Sequence, residues 1–563
     1  MGGCFSKPKP VEVKVELSLL EKEKEVDGLS PNGKASPLAD CRLNGALGHG
    51  SDDDATPLPL YHKSRDYVEA SVCHVKDMEN GQMREVDLGS GRALLIKEHG
   101  EFSAMAHKCP HYGAPLVKGV LSKGHVRCPW HGACFNIATG DLEDFPGLDS
   151  LPTFQVRVEK DKVIIRANKQ ALQSQKRSKP MARCSAVINS SMGFSHVLII
   201  GSGPAGLVCA ETLRQEGFTD RIVMCTMDRH PPYERPKLSK SLDSTAEQLR
   251  LRSMDFLQDY NIELLTEKEA VAIDVKTRSV TFEDGLRMEY RKLFIATGSK
   301  PKPMNYKGKD VKNVFHLRTP EDANSIARLA NNKNAVIVGT SFVGEKMTPL
   351  YWLRWGTNSG KKHHRFPVKQ LKEVVLKSGK VLRADVCVIG AGSVPATDFV
   401  KQSGIHMDSK GFITVNKMMQ TNVDGVFAGG DVVMFPFPPR NNKKVNIPHW
   451  QMAHVHGRVA ALSMMGRATE IKTVPYFWSA MFGKTIRYAG YGDGFDDVII
   501  QGDLDELRFV AFYTRSEEVV AVASMNYDPI VSRVAEVLGS GKMIKKRDVE
   551  TGDISWLIDK GSQ

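Results

Sequence analysis

The period of apolar and polar positions changes several times along the chain, and those changes divide it. From Glu12 to about Lys63 no period is sustained. The stretch is polar, with Ser30-Pro-Asn-Gly33 and Ser51-Asp-Asp-Asp54, and offers too little to bury, which predicts a flexible tether. From about Tyr67 short runs such as Ala93–Lys97, Phe154–Val158 and Lys162–Arg166 alternate, which predicts half-buried strands. A basic, serine-rich stretch at 170–193 predicts a linker. At His196 the pattern becomes a continuous apolar run, His196–Ile200, then a helical period over Leu207–Glu216 and a second run at Arg221–Thr226. Strand, helix, strand in that order predicts a parallel α/β unit. Near the end, strands at Glu506–Tyr513 and Val519–Ser524 precede a helix at Pro529–Ser540.

The expectation is a multidomain chain: a β-rich unit, an α/β unit of two nucleotide folds, and an α+β C-terminal unit. Its 563 residues are too many for one core. The net charge of +12 lies largely in short runs such as Lys361–Arg365 and Lys545–Arg547. These read as solvated faces, without the patterned patch that nucleic acid requires. No apolar run reaches the roughly 20 residues of a membrane helix. Ten scattered cysteines point to a reducing compartment and not to a disulfide scaffold. Met1-Gly2-Gly3-Cys4-Phe5-Ser6 fits N-myristoylation at Gly2, with Cys4 as a neighbouring palmitoylation site. Two acyl chains hold a membrane surface where one does so weakly.

Cys109-Pro-His111 is followed, after the sixteen residues 112 to 127, by Cys128-Pro-Trp-His131. Two thiolates and two imidazoles suit a [2Fe–2S] cluster with two cysteines on one iron and two histidines on the other. Zinc also accepts this set, but zinc fingers keep cysteines and histidines in separate pairs, whereas here each pair is mixed. CPHYGAPL and CPWHGACFNIATGD together resemble a Rieske domain over about Tyr67–Lys169. Ala114 and Trp130 stand where some members of that family carry a disulfide pair, which implies the disulfide-free type.

Gly201-Ser-Gly203-Pro-Ala-Gly206 follows the first buried strand directly, and Asp228 lies 25 residues beyond Gly203. Strand, glycines, helix, strand and acid in register form a dinucleotide-binding unit, with Asp228 on a ribose hydroxyl. The stretch Pro232-Tyr-Glu-Arg235-Pro-Lys-Leu-Ser-Lys240 resembles a signature of flavoprotein ferredoxin reductases. So do Ala296-Thr297-Gly298 and Gly425-Val-Phe-Ala-Gly-Gly430-Asp431. The resemblance implies FAD, with Asp431 toward its ribityl chain, Arg235 and Lys240 toward its pyrophosphate and ring, and Lys240 and Trp478 in catalysis.

A second nucleotide fold, for NAD(P)H as co-substrate, begins at Ala335–Val338 with Gly339-Thr-Ser-Phe-Val-Gly344. The expected helix and acidic strand end do not follow; Pro349 interrupts the helix. From Gly339 to Gly390 is only 51 residues (390 − 339), little more than one βαβ unit of about 30. The middle of this fold therefore reads as missing, with Glu345–Gln370 in its place and NAD(P)H binding weakened. The organisation expected is a tether at 1–63, a Rieske domain at 67–169 and a linker at 170–193. FAD segments follow at 195–333 and 425–473, around an incomplete NAD(P) unit at 334–424, with a C-terminal reductase domain at 474–563.

The chain resembles the Rieske-bearing branch of the apoptosis-inducing factor family over about Tyr67–Gln563, except for roughly Glu345–Gln370. That implies an FAD oxidoreductase passing electrons from NAD(P)H to the cluster, a mitochondrial, pro-apoptotic role, an acceptor protein and, as a candidate partner, a second copy. Acylation would set it on a cytosol-facing membrane surface. A redox-dependent signalling or scaffold protein is the rival reading, and the broken NAD(P) pattern favours it.

Overall fold

The computed structural model describes residues 16–17, 66–185, 194–303, 311–339, 370–376, 378–481, 483–552 and 557. Gly2, Cys4 and Gly344 lie outside the described residues.

The first unit contains two antiparallel sheets. Six strands run in the order Tyr67–His74, Lys162–Asn168, Thr153–Glu159, Glu101–Ala106, Arg92–Glu98 and Gln82–Asp87. In Lys162–Asn168 the side chains of Val163, Ile165 and Ala167 point to the core and alternate with polar or half-buried neighbours, the two-residue period of a strand with one buried face. A smaller sheet, Val120–Ser122, His125–Arg127, Cys134–Asn136 and Leu142–Asp144, carries the ligand loops.

The FAD unit is a sheet in the order Ile262–Leu265, Ile222–Cys225, Phe194–Ile200, Arg287–Ile295, Ser279–Phe282 and Ala270–Asp274. Val426–Ala428, more than 130 residues downstream of Ile295, adds in parallel to Leu293–Ile295 and joins the two distant FAD segments. Helix α1 (Pro204–Gln215) packs on this sheet and against α3 (Trp450–Met464), and α2 (Pro320–Ala330) lies between them in the chain.

Among the described residues the second nucleotide fold is small. It has three parallel strands there, Val314–Phe315, Val386–Ile389 and Ala335–Val338. A ribbon of Ser299–Pro301 against Ser393–Pro395 connects it to the FAD unit. Its limits differ from the 334–424 expected. Val314–Phe315 already belongs to its sheet, whereas Val400, Ile405, Ile413, Val415 and Met419 are buried in the core shared with the FAD unit.

The C-terminal unit is an antiparallel sheet, Tyr476–Met481, Lys484–Gly490, Glu518–Met525, Arg508–Arg515 and Asp497–Asp503, backed by α4 (Ile530–Gly539). The apolar core of the first unit's smaller sheet, with Phe135, Leu142 and Phe145, is continuous with that of the FAD unit. The linker is not a free tether where described. Ser150 and Arg177 exchange two backbone hydrogen bonds at 2.8 Å, and Ala182 and Cys184 bind Arg214 and Asn261 of the FAD unit.

Candidate redox site

Each ligand loop closes on itself. In the first, Cys109 N–H donates to Ala114 O at 2.9 Å and Gly113 N–H to Cys109 O at 2.8 Å; in the second, Cys128 N–H donates to Ala133 O at 2.7 Å. These turns bring together all four residues that the spacing singled out. The Nδ1 atoms of His111 and His131 face one another at 3.1 Å, and the Cys109 and Cys128 thiols are hydrogen-bonded to each other. Burial pushes both imidazoles down, His131 to about 3 with help from Arg487 and Lys240, so both are neutral ligand nitrogens. Backbone N–H groups of His111 and Tyr112 point at Cys109 sulfur, and those of Trp130 and His131 at Cys128 sulfur. The two imidazoles thus form one pair and the two thiols another, as two irons with two protein ligands each require. The donor set fits a [2Fe–2S] cluster.

The histidine side of this centre is covered by the reductase. Trp478, on the first strand of the C-terminal sheet, stands with its ring 4.6 Å from that of His131 and 5.7 Å from that of His111. Tyr112 donates to the Glu234 carboxylate in the FAD unit, and Lys237 lies over the Tyr112 ring at 4.8 Å. The charge of Lys240 reaches both histidines, and burial lowers its own pKa. Gly132 touches Tyr476 so closely that a β-carbon would meet the ring at 2.6 Å.

At the nucleotide turn, Gly203 opens α1 with nothing within 4 Å of where a β-carbon would point, while Gly206 presses on Gly201 O. An open helix N-terminus reached by bare backbone fits a pyrophosphate. Asp228 lies beyond the second strand, where it accepts from Tyr233 Oη at 2.8 Å and pairs with Arg235 at 3.2 Å. Arg235 thus sits at the Asp228 end of the cleft. Asp431 lies at the floor of the cleft, its pKa raised by burial and opposed by Arg318, with Ser299 donating to it at 3.0 Å. The Ala296-Thr297-Gly298 turn is anchored by Thr297 Oγ1 donating to Ala396 O at 2.7 Å. His449 Nδ1, both ring nitrogens of His454 and His456 Nε2 are buried without a hydrogen-bond partner among the described residues, and His454 packs between the rings of Phe145 and Trp450. Sequence reasoning missed Arg318. It is half-buried between Arg235 and Asp431, and its only local signal was the capping box of Thr319 and Asp322 that follows it.

Gly339 ends its strand against Gly390 O, joining the two strand ends expected to flank NAD(P)H. The cysteines of the FAD unit, Cys209 and Cys225, are free and buried, and burial pushes both thiols up, Cys225 to about 12. They do not form a disulfide redox pair.

Comparison with known proteins agrees with this division. A Rieske [2Fe-2S] domain model matches residues 69–155, and a Reductase C-terminal model matches 476–554. A pyridine nucleotide-disulphide oxidoreductase model matches 195–352 and 353–457, two pieces meeting inside the stretch where the sequence pattern breaks. Apoptosis-inducing factor 3 of Homo sapiens is 59% identical over 610 positions, covering 100% of both chains. At least 47 of those positions (610 − 563) face gaps in this chain. Rhodocoxin reductase of Rhodococcus erythropolis is 28% identical over 59% of this chain and 86% of its own. In the crystal structure of the covalent putidaredoxin reductase–putidaredoxin complex, the matching chain is 25% identical with a TM-score of 0.58, over 64% of this chain and 96% of that one. The chain belongs to the apoptosis-inducing factor 3 family: an NAD(P)H-dependent flavoprotein oxidoreductase, with FAD, joined to a Rieske [2Fe-2S] domain.

Proposed function

We propose that the Rieske domain is the reductase's own electron acceptor, so that electrons pass from NAD(P)H through FAD to the cluster within one chain. FAD supplies the chemistry that links a two-electron donor to a one-electron acceptor. Cys109, Cys128, His111 and His131 hold the cluster; Gly201, Gly203, Gly206, Asp228, Arg235, Lys240, Ala296, Thr297, Gly298, Gly430 and Asp431 line the FAD cleft. Gly339 and Gly344 take the NAD(P)H side. The observation that carries this reading is the contact of Trp478 with both histidine rings. The neighbouring Phe477 packs on His449 at the start of α3 at 5.1 Å, so one strand connects the FAD unit with the cluster loops.

The test is anaerobic photoreduction of the flavin in the intact holoprotein, with the cluster followed by EPR. Reduction of the cluster is expected within the same molecule, slowed at least tenfold in W478A and little in W478F. A cluster that stays oxidised beside fully reduced flavin would overturn the proposal.

The relatives' name points to a role in apoptosis; a mitochondrial location and an external acceptor protein beyond the cluster belong to the same proposal. Gly2 and Cys4 are the proposed acylation sites, giving a cytosol-facing membrane attachment, and a second copy is a candidate partner. The small second nucleotide fold favours one alternative for this chain: FAD and cluster maintain a signalling conformation with little NAD(P)H turnover. A cluster-ligand variant that keeps full cell-death activity would favour a role that does not need the cluster.

A further inference from the structure

The second ligand loop is held at alternate carbonyls, two of them from outside its own domain. Cys128 O accepts from Ser532 Oγ of α4 at 3.0 Å, and Tyr476 Oη donates in turn to Ser532 at 3.1 Å. Trp130 O accepts from Arg487 Nε at 2.7 Å. Gly132 O accepts from Arg127 Nη1 at 2.8 Å, and Arg127 is itself held by Glu536 of α4 and by Asp144. Among the described residues the reductase makes no such grip on the carbonyls of the first ligand loop; it meets that loop at the Tyr112 hydroxyl and ring and at the His111 ring.

The Arg487 contact reaches a particular peptide unit. Trp130 C=O and His131 N–H belong to the same amide, and that N–H points at Cys128 sulfur. A guanidinium on the oxygen polarises the amide and strengthens the hydrogen bond its N–H gives, since bonds in such a chain reinforce one another. Arg487 is 5% exposed and ion-paired with Asp528 at 2.6 Å, so its field is weakly screened by solvent. Hydrogen bonds to sulfur ligands and nearby charge are recognised means by which a protein sets the potential of an iron–sulfur centre.

We propose that the C-terminal domain raises the electron affinity of the cluster while the Rieske domain is docked, with Arg487 as a positioning residue acting through the Trp130–His131 peptide. This rests on the Rieske reading and specifies how that site is regulated. With the cluster bound, its reduction by one electron from the reduced flavin would add a negative charge that Arg487 and the polarised N–H would stabilise. Away from Arg487 the reduced cluster would be the stronger one-electron donor.

The experiment is an EPR-monitored potentiometric titration at pH 8 of the intact holoprotein and three variants. R487Q is expected to shift the one-electron equilibrium at least tenfold toward the oxidised cluster, a fall of 59 mV. R487K should recover most of that, and D528N, which leaves Arg487 without its counter-charge, should shift the midpoint upward. Midpoints of R487Q and D528N both within twofold of the parent equilibrium would overturn the proposal. So would shifts of the same sign. If R487Q loses its cluster, D528N decides: a rise supports the proposal and no change or a fall refutes it. A parent protein that binds iron and sulfide but lacks the EPR signal of a histidine-ligated cluster would refute the Rieske reading instead.

Discussion

Replacing Arg252 by glutamine should undock the Rieske domain. Arg252 Nε and Nη2 donate to the two carboxylate oxygens of Glu211 on α1 at 2.8 and 3.0 Å. Its Nη1 reaches Asp149 of the Rieske domain at 2.8 Å and its Nη2 Leu148 O at 3.2 Å. The side chain is 9% exposed and that of Glu211 3%. R252Q leaves two carboxylates facing one another away from water, and removing one partner of a buried pair costs about 3–5 kcal/mol. Part of that cost stays within the FAD unit, because Glu211 and Arg252 both belong to it. If about 1.4 kcal/mol falls on the docked state, the docked-to-undocked ratio drops about tenfold. The pH dependence has a definite sign. Burial already raises the Glu211 pKa against the pull of Arg252. In R252Q the docked form raises it further, so docking is strongest with Glu211 protonated and is lost as pH rises through the Glu211 range. The defect should therefore be full at neutral pH and shrink in acid. The assay is the rate of proteolytic cleavage in the 170–193 linker, with hydrogen exchange of the Leu148–Asp149 loop measured in parallel. Equal cleavage and exchange in R252Q and the parent at pH 7.5 would refute the reasoning.

Reduction of the flavin by NADH should be slow at millimolar or lower concentrations, read as bleaching in stopped flow; fast saturable bleaching would show that the small second nucleotide fold suffices. G132A should loosen the docked Rieske domain: the new β-carbon meets the Tyr476 ring at 2.6 Å and the backbone φ is +79°, costs of about 1–3 and 1–2 kcal/mol, visible as faster exchange across residues 128–133. Burial pushes His454 and His456 down to about 3. Their neutral forms therefore support the fold above about pH 6.5, and that support is lost as pH falls toward 3, by up to about 1.4 kcal/mol per unit for each. Urea midpoints of the apoprotein from pH 7 to 4.5 should fall accordingly, and H454Q should flatten the slope. G2A should release the protein from the membrane fraction of cells that carry N-myristoyltransferase; unchanged fractionation would count against acylation.

The residues legible in the sequence were those whose chemistry is local. Cys109, His111, Cys128 and His131 lie in two short loops of fixed spacing, and the Gly201–Gly206 turn is specified within one βα step. What stayed hidden depends on distant partners. Arg487 and Ser532 lie more than 350 residues from the carbonyls they bind, and neither sits in a motif. The Asp228–Arg235 pair was unreadable because an acid at a strand end predicts a ribose contact equally well whether or not an arginine folds back on it. The linker looked unstructured from its composition, yet Arg177 and Ala182 hold it through backbone hydrogen bonds, which no side-chain pattern announces. The second nucleotide fold began earlier than expected because Val314–Phe315 is two residues long, too short to show a period.

Fusion changes what the interface has to accomplish. A domain tethered by a short linker already faces its docking site at an effective concentration in the millimolar range, so little affinity is needed. The contacts nevertheless include buried ion pairs at Arg252 and Arg127 and two carbonyls gripped across the interface. Buried ion pairs contribute orientation more dependably than affinity. Orientation is what the geometry requires, because the cluster has one histidine side and Trp478 stands against it. Trp478 stands against His131, which is 8% exposed, while His111 is half-buried. An external acceptor should reach the histidine side more readily once the loops separate from Trp478. Separation has to break the apolar continuity of Phe135, Leu142 and Phe145 with the FAD unit as well as these polar contacts. Ion pairs that do cross the interface, Arg252–Asp149 and Arg127–Glu536, should make its rate rise with ionic strength.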